Sequence, residues 1–156
     1  MIQIAIPGHK DLHLEHLVLD YNGTLAVDGQ LIGGVAERLT TLAEQVQIHV
    51  LTADTFGQVN SAVADIPCRV SVLPPGQQAE GKLAYVQRLG VEQTACVGNG
   101  RNDRLMLAAA ALGIAVVQAE GAAVQTVTAA DVIAPDIRAA LDLLTNPLRL
   151  VATLRS

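Results

Sequence analysis

Four groups of residues in this sequence stand where side chains can do chemistry. Asp20 closes the apolar run Leu17-Val18-Leu19 and is followed by Tyr21-Asn22-Gly23-Thr24. Thr52 closes the run Ile48-His49-Val50-Leu51. Lys82 lies in Glu80-Gly81-Lys82-Leu83, at the head of a helical pattern, and Thr94-Ala95-Cys96-Val97 runs into Gly98-Asn99-Gly100-Arg101-Asn102-Asp103. Short apolar runs of this kind suit strands buried on both faces of a parallel sheet. Ligands of open α/β sheets bind at the carboxyl ends of such strands, where a carboxylate is a nucleophile, a metal ligand or both. Singly, each residue has a plainer role. Asp20 is a turn former before Asn-Gly, Thr52 a strand-end hydroxyl bonded to backbone, Lys82 a solvated lysine, and Asp103 an acid favoured in a helix first turn. Together, in this order along one sheet edge, they read as a single site.

The elements that must position them follow from periodicity. Met1 to Ile6 and His13 to Leu19 form a β-hairpin whose second arm continues into, or packs beside, the first core strand. Asp28-Gly29 marks a tight turn within Thr24 to Ile32. Val35, Leu39, Leu42 and Val46 recur at helical spacing after Gly33-Gly34. Gln47 to Thr52 is a strand, Phe56 to Ala64 a helix, Cys68 to Leu73 a strand, and Gln78 to Leu89 a helix stopped by Gly90. Thr94 to Val97 is a strand and Asn102 to Ala111 a helix. Ile114 to Val117, a helix near Ala122 to Thr128, Asp131 to Ala134, and helices Asp136 to Leu144 and Leu148 to Leu154 complete the alternation. Strands alternating with helices imply an α/β fold: a three-layer, Rossmann-like, mainly parallel sheet with helices on both faces and an N-terminal β-hairpin. Residues 1–156 read as one domain, long enough for a sizeable core.

This pattern of aspartate, hydroxyl, lysine and acidic glycine-rich turn resembles the four-motif signature of the haloacid dehalogenase (HAD) superfamily, from Leu17 to the C-terminus. The resemblance is strongest to soluble proteins similar to the phosphorylation domain of P-type ATPases. It implies a phosphatase or phosphotransferase with Mg²⁺ as cofactor. Asp20 takes the place of the nucleophile that becomes an aspartyl phosphate, Thr52 and Gly23 those of phosphate-binding positions, and Lys82 that of the lysine tying nucleophile to phosphate. Asp20, Asn22 (through its carbonyl), Asn99 and Asp103 take the metal-site positions, with Asn102, Gly98 and Gly100 supporting them. Thr24 to Ile32 corresponds to the flap over the site. The stretches Leu25 to Gln47 and Ala53 to Gly81, where relatives insert a cap domain, hold only crossover elements, so a member without a cap is expected, its site open unless another subunit covers it.

Two positions depart from that signature. Asn22 stands where phosphatases of the superfamily usually have an acid/base aspartate, and an amide cannot exchange protons at neutral pH. P-type ATPases have threonine there and form long-lived aspartyl phosphates, so Asn22 points to slow dephosphorylation. Asn99 replaces a metal-binding aspartate and removes one negative charge from the site. Both asparagines precede glycine, a pairing that deamidates readily in flexible chains, so conversion to aspartate with age is an expectation worth testing. The second reading is a catalytically weak protein of this fold that binds a phosphorylated ligand or partner.

Composition bounds the partners. Formal net charge is −5 with no basic run, which disfavours nucleic acid. Aromatic content is 2% and hydrophobic content 51%, so the core is built from Ala, Val, Leu and Ile. No apolar run is long enough for a membrane span, and no signal peptide is apparent. A cytoplasmic protein is expected, its two cysteines, Cys68 and Cys96, being small buried hydrophobes in strands. The expected partner is a phosphorylated small molecule or macromolecule, with a homo-oligomer as an option. His9, His13 and His16 read as solvated or edge-strand residues rather than a metal site. Asp54 either lines the entrance or, like Thr55, caps a helix, and Arg101 and Arg104 could meet an anionic substrate.

Overall fold

The computed structural model describes residues 1–53 and 57–156. Asp54, Thr55 and Phe56, on which a helix cap and a helix start were expected, lie outside the described residues. The chain begins with an antiparallel hairpin, β1 (Ile2–Ile4) against β2 (Leu12–Leu14). The run read as one strand from His13 to Leu19 is broken at Glu15. There the backbone turns to bond Gln93 and Gln47, and β3 (His16–Asp20) enters a different sheet. A second hairpin, β4 (Ala26–Val27) and β5 (Gln30–Leu31), turns at Asp28 and Gly29, both at positive φ as a two-residue turn of this hand requires.

The main sheet joins β3 to β6 (Gln47–Thr52), β7 (Cys68–Val72), β8 (Thr94–Gly98), β9 (Leu112–Val116) and β10 (Val132–Ala134) in the spatial order β10-β9-β8-β3-β6-β7, every pair parallel. Successive side chains of each strand face opposite sides, and this divides the core in two. Leu17, Leu19, Ile48, Val50, Val97 and Ile114 face α1 (Val35–Leu42) and α6 (Ile137–Thr145). Val18, Leu51, Cys96 and Ala115 face α3 (Gln78–Leu89) and α4 (Arg104–Ala109). The three layers expected from the alternation are therefore present, and among the described residues neither inter-motif stretch holds an inserted domain. Short α2 (Gln58–Ala62), α5 (Val124–Ala129) and α7 (Pro147–Leu154) complete the set. No helix among the described residues is long and apolar enough to cross a membrane.

One boundary moved for an identifiable reason. The alanine-rich segment read as helix to Ala111 stops at Ala109, because the Ala111 N–H bonds Val91 and Leu112 is taken into β9. Gly113 then lets α4 lie against the sheet, since a Cβ there would overlap the Leu107 carbonyl.

The His16 expectation also changes. His9 and His13 are exposed, but His16 Nδ1 lies 3.2 Å from His49 Nε2, and His49 Nδ1 lies 2.8 Å from the Tyr85 hydroxyl. Burial, with the nearby positive charges of His16 and Arg69, pushes His49 down to about 4. A histidine held neutral in this way stabilises the fold above its unfolded value and loses that contribution as pH falls toward 4.

Candidate active site

Along the sheet the chain moves from β3 to β6 and β7, then returns to β8 on the other side of β3. The connections diverge at β3 and β8, and a crevice opens there at the carboxyl ends of the strands. Asp20 ends β3, Gly98 ends β8 and Thr52 ends β6, so three of the four motifs meet at one edge. The fourth arrives from α3, whose buried Lys82 is 1% exposed. Lys82 Nζ donates to Asp20 Oδ1 at 2.7 Å and to Asp103 Oδ1 at 2.6 Å, with Asn102 Oδ1 at 3.4 Å.

Asp103 is fully engaged. Its second oxygen accepts the backbone N–H groups of Asn99 at 3.0 Å and Gly100 at 2.9 Å. It thus clasps the loop after β8 while holding the lysine. Gly98 leaves room for this, since a Cβ there would lie 2.5 Å from the Asp103 carboxyl carbon. Gly23, at φ +81°, lies under Asn99 in the same way, where a Cβ would overlap the Asn99 amide.

Two buried carboxylates share one ammonium, and the charge balance shows in the proton affinities of Asp20 and Lys82. Burial, and secondarily Asp103, pushes Asp20 up to about 7 against the pull of Lys82 and Thr24. Burial alone would lower Lys82, but Asp20 and Asp103 outweigh it and hold the ammonium above its usual value. Thr24 makes the excess of acceptors explicit. Its single hydroxyl proton faces Asp20 Oδ2 and Asn99 Oδ1, each at 3.1 Å. The Asn99 amide is oriented by its Nδ2, which donates to the Gly121 carbonyl at 3.0 Å, so its oxygen points into the site. A proton on Asp20 Oδ2 would complete the series Asp20 to Thr24 to Asn99; a cation would serve the same oxygens.

The sign of the resulting pH effect is fixed. Asp20 binds its proton more tightly folded than unfolded, so its contribution favours folding at low pH and is lost as pH rises from about 4 to about 7. The difference in unfolding free energy between wild type and Asp20→Asn, without metal, is expected to fall by of order 4 kcal/mol across that window. Urea unfolding of both proteins measures it, and the comparison cancels the opposite trend from His49. A pH-independent difference would refute the burial argument.

The other positions divide. Asn102 donates its amide N–H to Gln78 Oε1 at 2.8 Å and so braces α3 against the loop after β8. Asn22 is exposed at the rim, and its backbone bridges to Ala26 at the root of the flap. The folded chain works against deamidation at both Asn-Gly pairs. The Gly23 N–H is held by the Ala26 carbonyl and the Gly100 N–H by Asp103, and these are the nitrogens that would have to attack the amides.

Two contributors were not singled out from the sequence. Thr24 could have been found as a hydroxyl in the turn after Asp20. Gln118 could not: it is one polar residue after a buried strand, yet its amide donates to the carbonyls of Gly23 at 2.9 Å and Thr24 at 2.7 Å, while its oxygen accepts the Ile137 N–H at 3.0 Å. It fixes the turn that presents Thr24. Beside it, Glu120 Oε2 accepts the Asp28 N–H at 3.2 Å, and the Tyr21 hydroxyl donates to the Gly29 carbonyl at 3.1 Å, so the flap is tethered at its tip and from beneath.

No family model matches the chain. In sequence it is 42% identical over 84 residues to the uncharacterized protein MJ0073 of Methanocaldococcus jannaschii, covering 51% of this chain and 90% of that protein. It is 54% identical over 39 residues to the uncharacterized protein MJ0072 of the same organism, covering 25% of this chain and 89% of that protein. The chain belongs to one family with these two proteins. Among solved structures, a Legionella pneumophila protein described as a HAD superfamily (subfamily III A) hydrolase matches with TM-score 0.72 at 17% identity, over 90% of this chain and 87% of that one. The 3-deoxy-D-manno-octulosonate 8-phosphate phosphatase of Moraxella catarrhalis, solved with magnesium ion, phosphate ion and KDO, matches with TM-score 0.71 at 15% identity, over 92% and 94%. The cobalt-bound form of the corresponding Haemophilus influenzae phosphatase gives the same figures: TM-score 0.71, 15% identity, 92% and 94%.

Proposed function

From the haloacid dehalogenase fold of this chain, we propose that it is a Mg²⁺-dependent phosphohydrolase or phosphotransferase that works through an aspartyl phosphate on Asp20. The observation that carries the reading is the buried Asp20–Lys82–Asp103 arrangement at the carboxyl edge of β3 and β8. A cation fits what is present: Asp20 and Asn99 offer oxygens only, as a hard divalent ion prefers, and Thr24 cannot supply protons to both. Asp20, Asn99 and the Asn22 carbonyl would hold Mg²⁺, which supplies neutralisation of phosphate charge. The magnesium and cobalt named for the two structural neighbours support this choice.

In the proposed reaction an Asp20 oxygen bonds to phosphorus as the ester P–O bond breaks. Lys82 orients the nucleophile and screens the repulsion between carboxylate and phosphate. Thr52, at the adjacent strand end, would hydrogen-bond the transferring group. The departing oxygen takes its proton from solvent, because Asn22 has none to give. Water then displaces the phosphoryl group from Asp20 without a base at that position, so dephosphorylation is the slow step. This agrees with the sequence resemblance to P-type ATPase phosphorylation domains.

The test is Mg²⁺-dependent hydrolysis of an aryl phosphate, whose leaving group needs no acid. Wild type is expected to turn over and to accumulate one phosphoryl group by intact mass, while Asp20→Asn does neither. Hydrolysis that survives in Asp20→Asn would overturn the mechanism. The second reading, a binding protein for a phosphorylated ligand with little turnover, draws on the two amides Asn22 and Asn99. It predicts phosphate binding in Mg²⁺ with no hydrolysis.

A further inference from the structure

A cleft of about 470 Å³ opens between the start of α3 and the loop leading into α4, lined by Gln78, Glu80, Arg101, Asn102 and Arg104 among others. It adjoins the site directly. Asn102, one of its walls, lies 3.4 Å from Lys82 Nζ through its oxygen and bonds Gln78, the facing wall, through its nitrogen. The cleft carries two guanidinium groups against one carboxylate, in a chain whose net charge is −5. Neither Arg101 nor Arg104 forms an ion pair among the described residues. Among the described residues the Arg104 guanidinium makes one hydrogen bond, from Nη1 to the Arg101 carbonyl, which leaves its other N–H groups available. Both arginines sit within the motif that also supplies Asn102 and Asp103, so their distance from the phosphate position is set by a short, clasped loop. Guanidinium groups are suited to carboxylates and phosphates, which they grip with two parallel hydrogen bonds.

We propose that this cleft binds a second anionic group of the substrate, so that the preferred ester carries a phosphate or carboxylate a few atoms from the phosphoryl group that is transferred. The proposal rests on the phosphate-ester reading above and narrows its substrate class. Arg101 and Arg104 hold the tail anion, Lys82 and Asp20 meet the phosphoryl group, and the Asn102–Gln78 bridge separates the two.

Equilibrium binding in Mg²⁺ tests it, using three probes of similar size. Glycerol 3-phosphate has a neutral tail, 3-phosphoglycerate a carboxylate and propane-1,3-diol bisphosphate a second phosphate. Wild type is expected to bind at least one of the two charged-tail probes roughly tenfold more tightly than the neutral one, the scale of a charge-assisted pair. The tighter of the two identifies the tail chemistry. The double variant Arg101→Gln/Arg104→Gln is expected to bring the three affinities within about twofold. Equal affinities in wild type, no binding of any probe, or a preference that survives in the variant would each overturn the subsite. Aryl phosphate hydrolysis measured alongside separates the two ideas. Turnover with equal affinities removes the subsite and leaves the reaction, whereas a tail preference without turnover removes the reaction and leaves the subsite.

Discussion

Lys82→Met abolishes turnover and destabilises the protein by about 3–5 kcal/mol at pH 8, the usual cost of stripping one partner from a buried ion pair. The substitution roughly preserves side-chain volume, so packing on α3 is not the cause. What is lost is the only cation that, among the described residues, touches Asp20 Oδ1 and Asp103 Oδ1, which it meets at 2.7 and 2.6 Å. Two buried carboxylates then face each other without compensation. The destabilisation is expected to shrink at pH 5, because Asp20, already pushed up to about 7, takes a proton more readily once the ammonium is gone. Urea unfolding at the two pH values, with aryl phosphate hydrolysis, measures both consequences. Lost activity with unchanged stability at pH 8 would mean that the lysine contacts phosphate but does not hold the carboxylates together.

Asn22→Asp raises steady-state turnover by about 10²-fold or more, the scale of a positioned acid/base. Asn22 is exposed at the rim and its side chain makes no hydrogen bond among the described residues, so the change is expected to move stability by no more than about 0.5 kcal/mol. The gain should be larger for alkyl than for aryl phosphates, because only a poor leaving group needs the proton. It should also abolish accumulation of the phosphorylated protein. A variant no faster than wild type, with phosphoprotein still accumulating, would show that a step other than proton transfer limits the cycle.

The four motifs were legible because their signal is local. Asp20, Thr52 and the glycine-rich turn each end an apolar run, and such runs become the buried parallel strands β3, β6 and β8. Lys82 was legible only through its place in the order, since nothing in Glu80-Gly81-Lys82-Leu83 distinguishes a buried lysine from a solvated one. The roles of Gln118 and His49 were hidden for one physical reason. Each is defined by partners brought from distant elements: the Gly23 and Thr24 carbonyls for Gln118, and His16 and Tyr85 for His49. A residue's own flanks carry no trace of such contacts. The early end of α4 was lost in the same way, since helix propensity along Ala108 to Ala111 yields to a backbone bond with Val91.

The strand order has a consequence for how the site comes into being. In a wholly parallel sheet no strand meets its neighbour through a local turn, so β3 stays incomplete until chain far downstream returns to flank it. Thr24 and Asn99 are 75 positions apart, and Asp20 and Lys82 are 62. The site is therefore expected to assemble late, after β8 docks against β3. During synthesis and refolding, a chain that has formed its hairpins and first strands carries the nucleophile but not Lys82, Asn99 or Asp103. Partially folded forms should be inert toward phosphate esters, and the recovery of turnover should trail the recovery of helical signal.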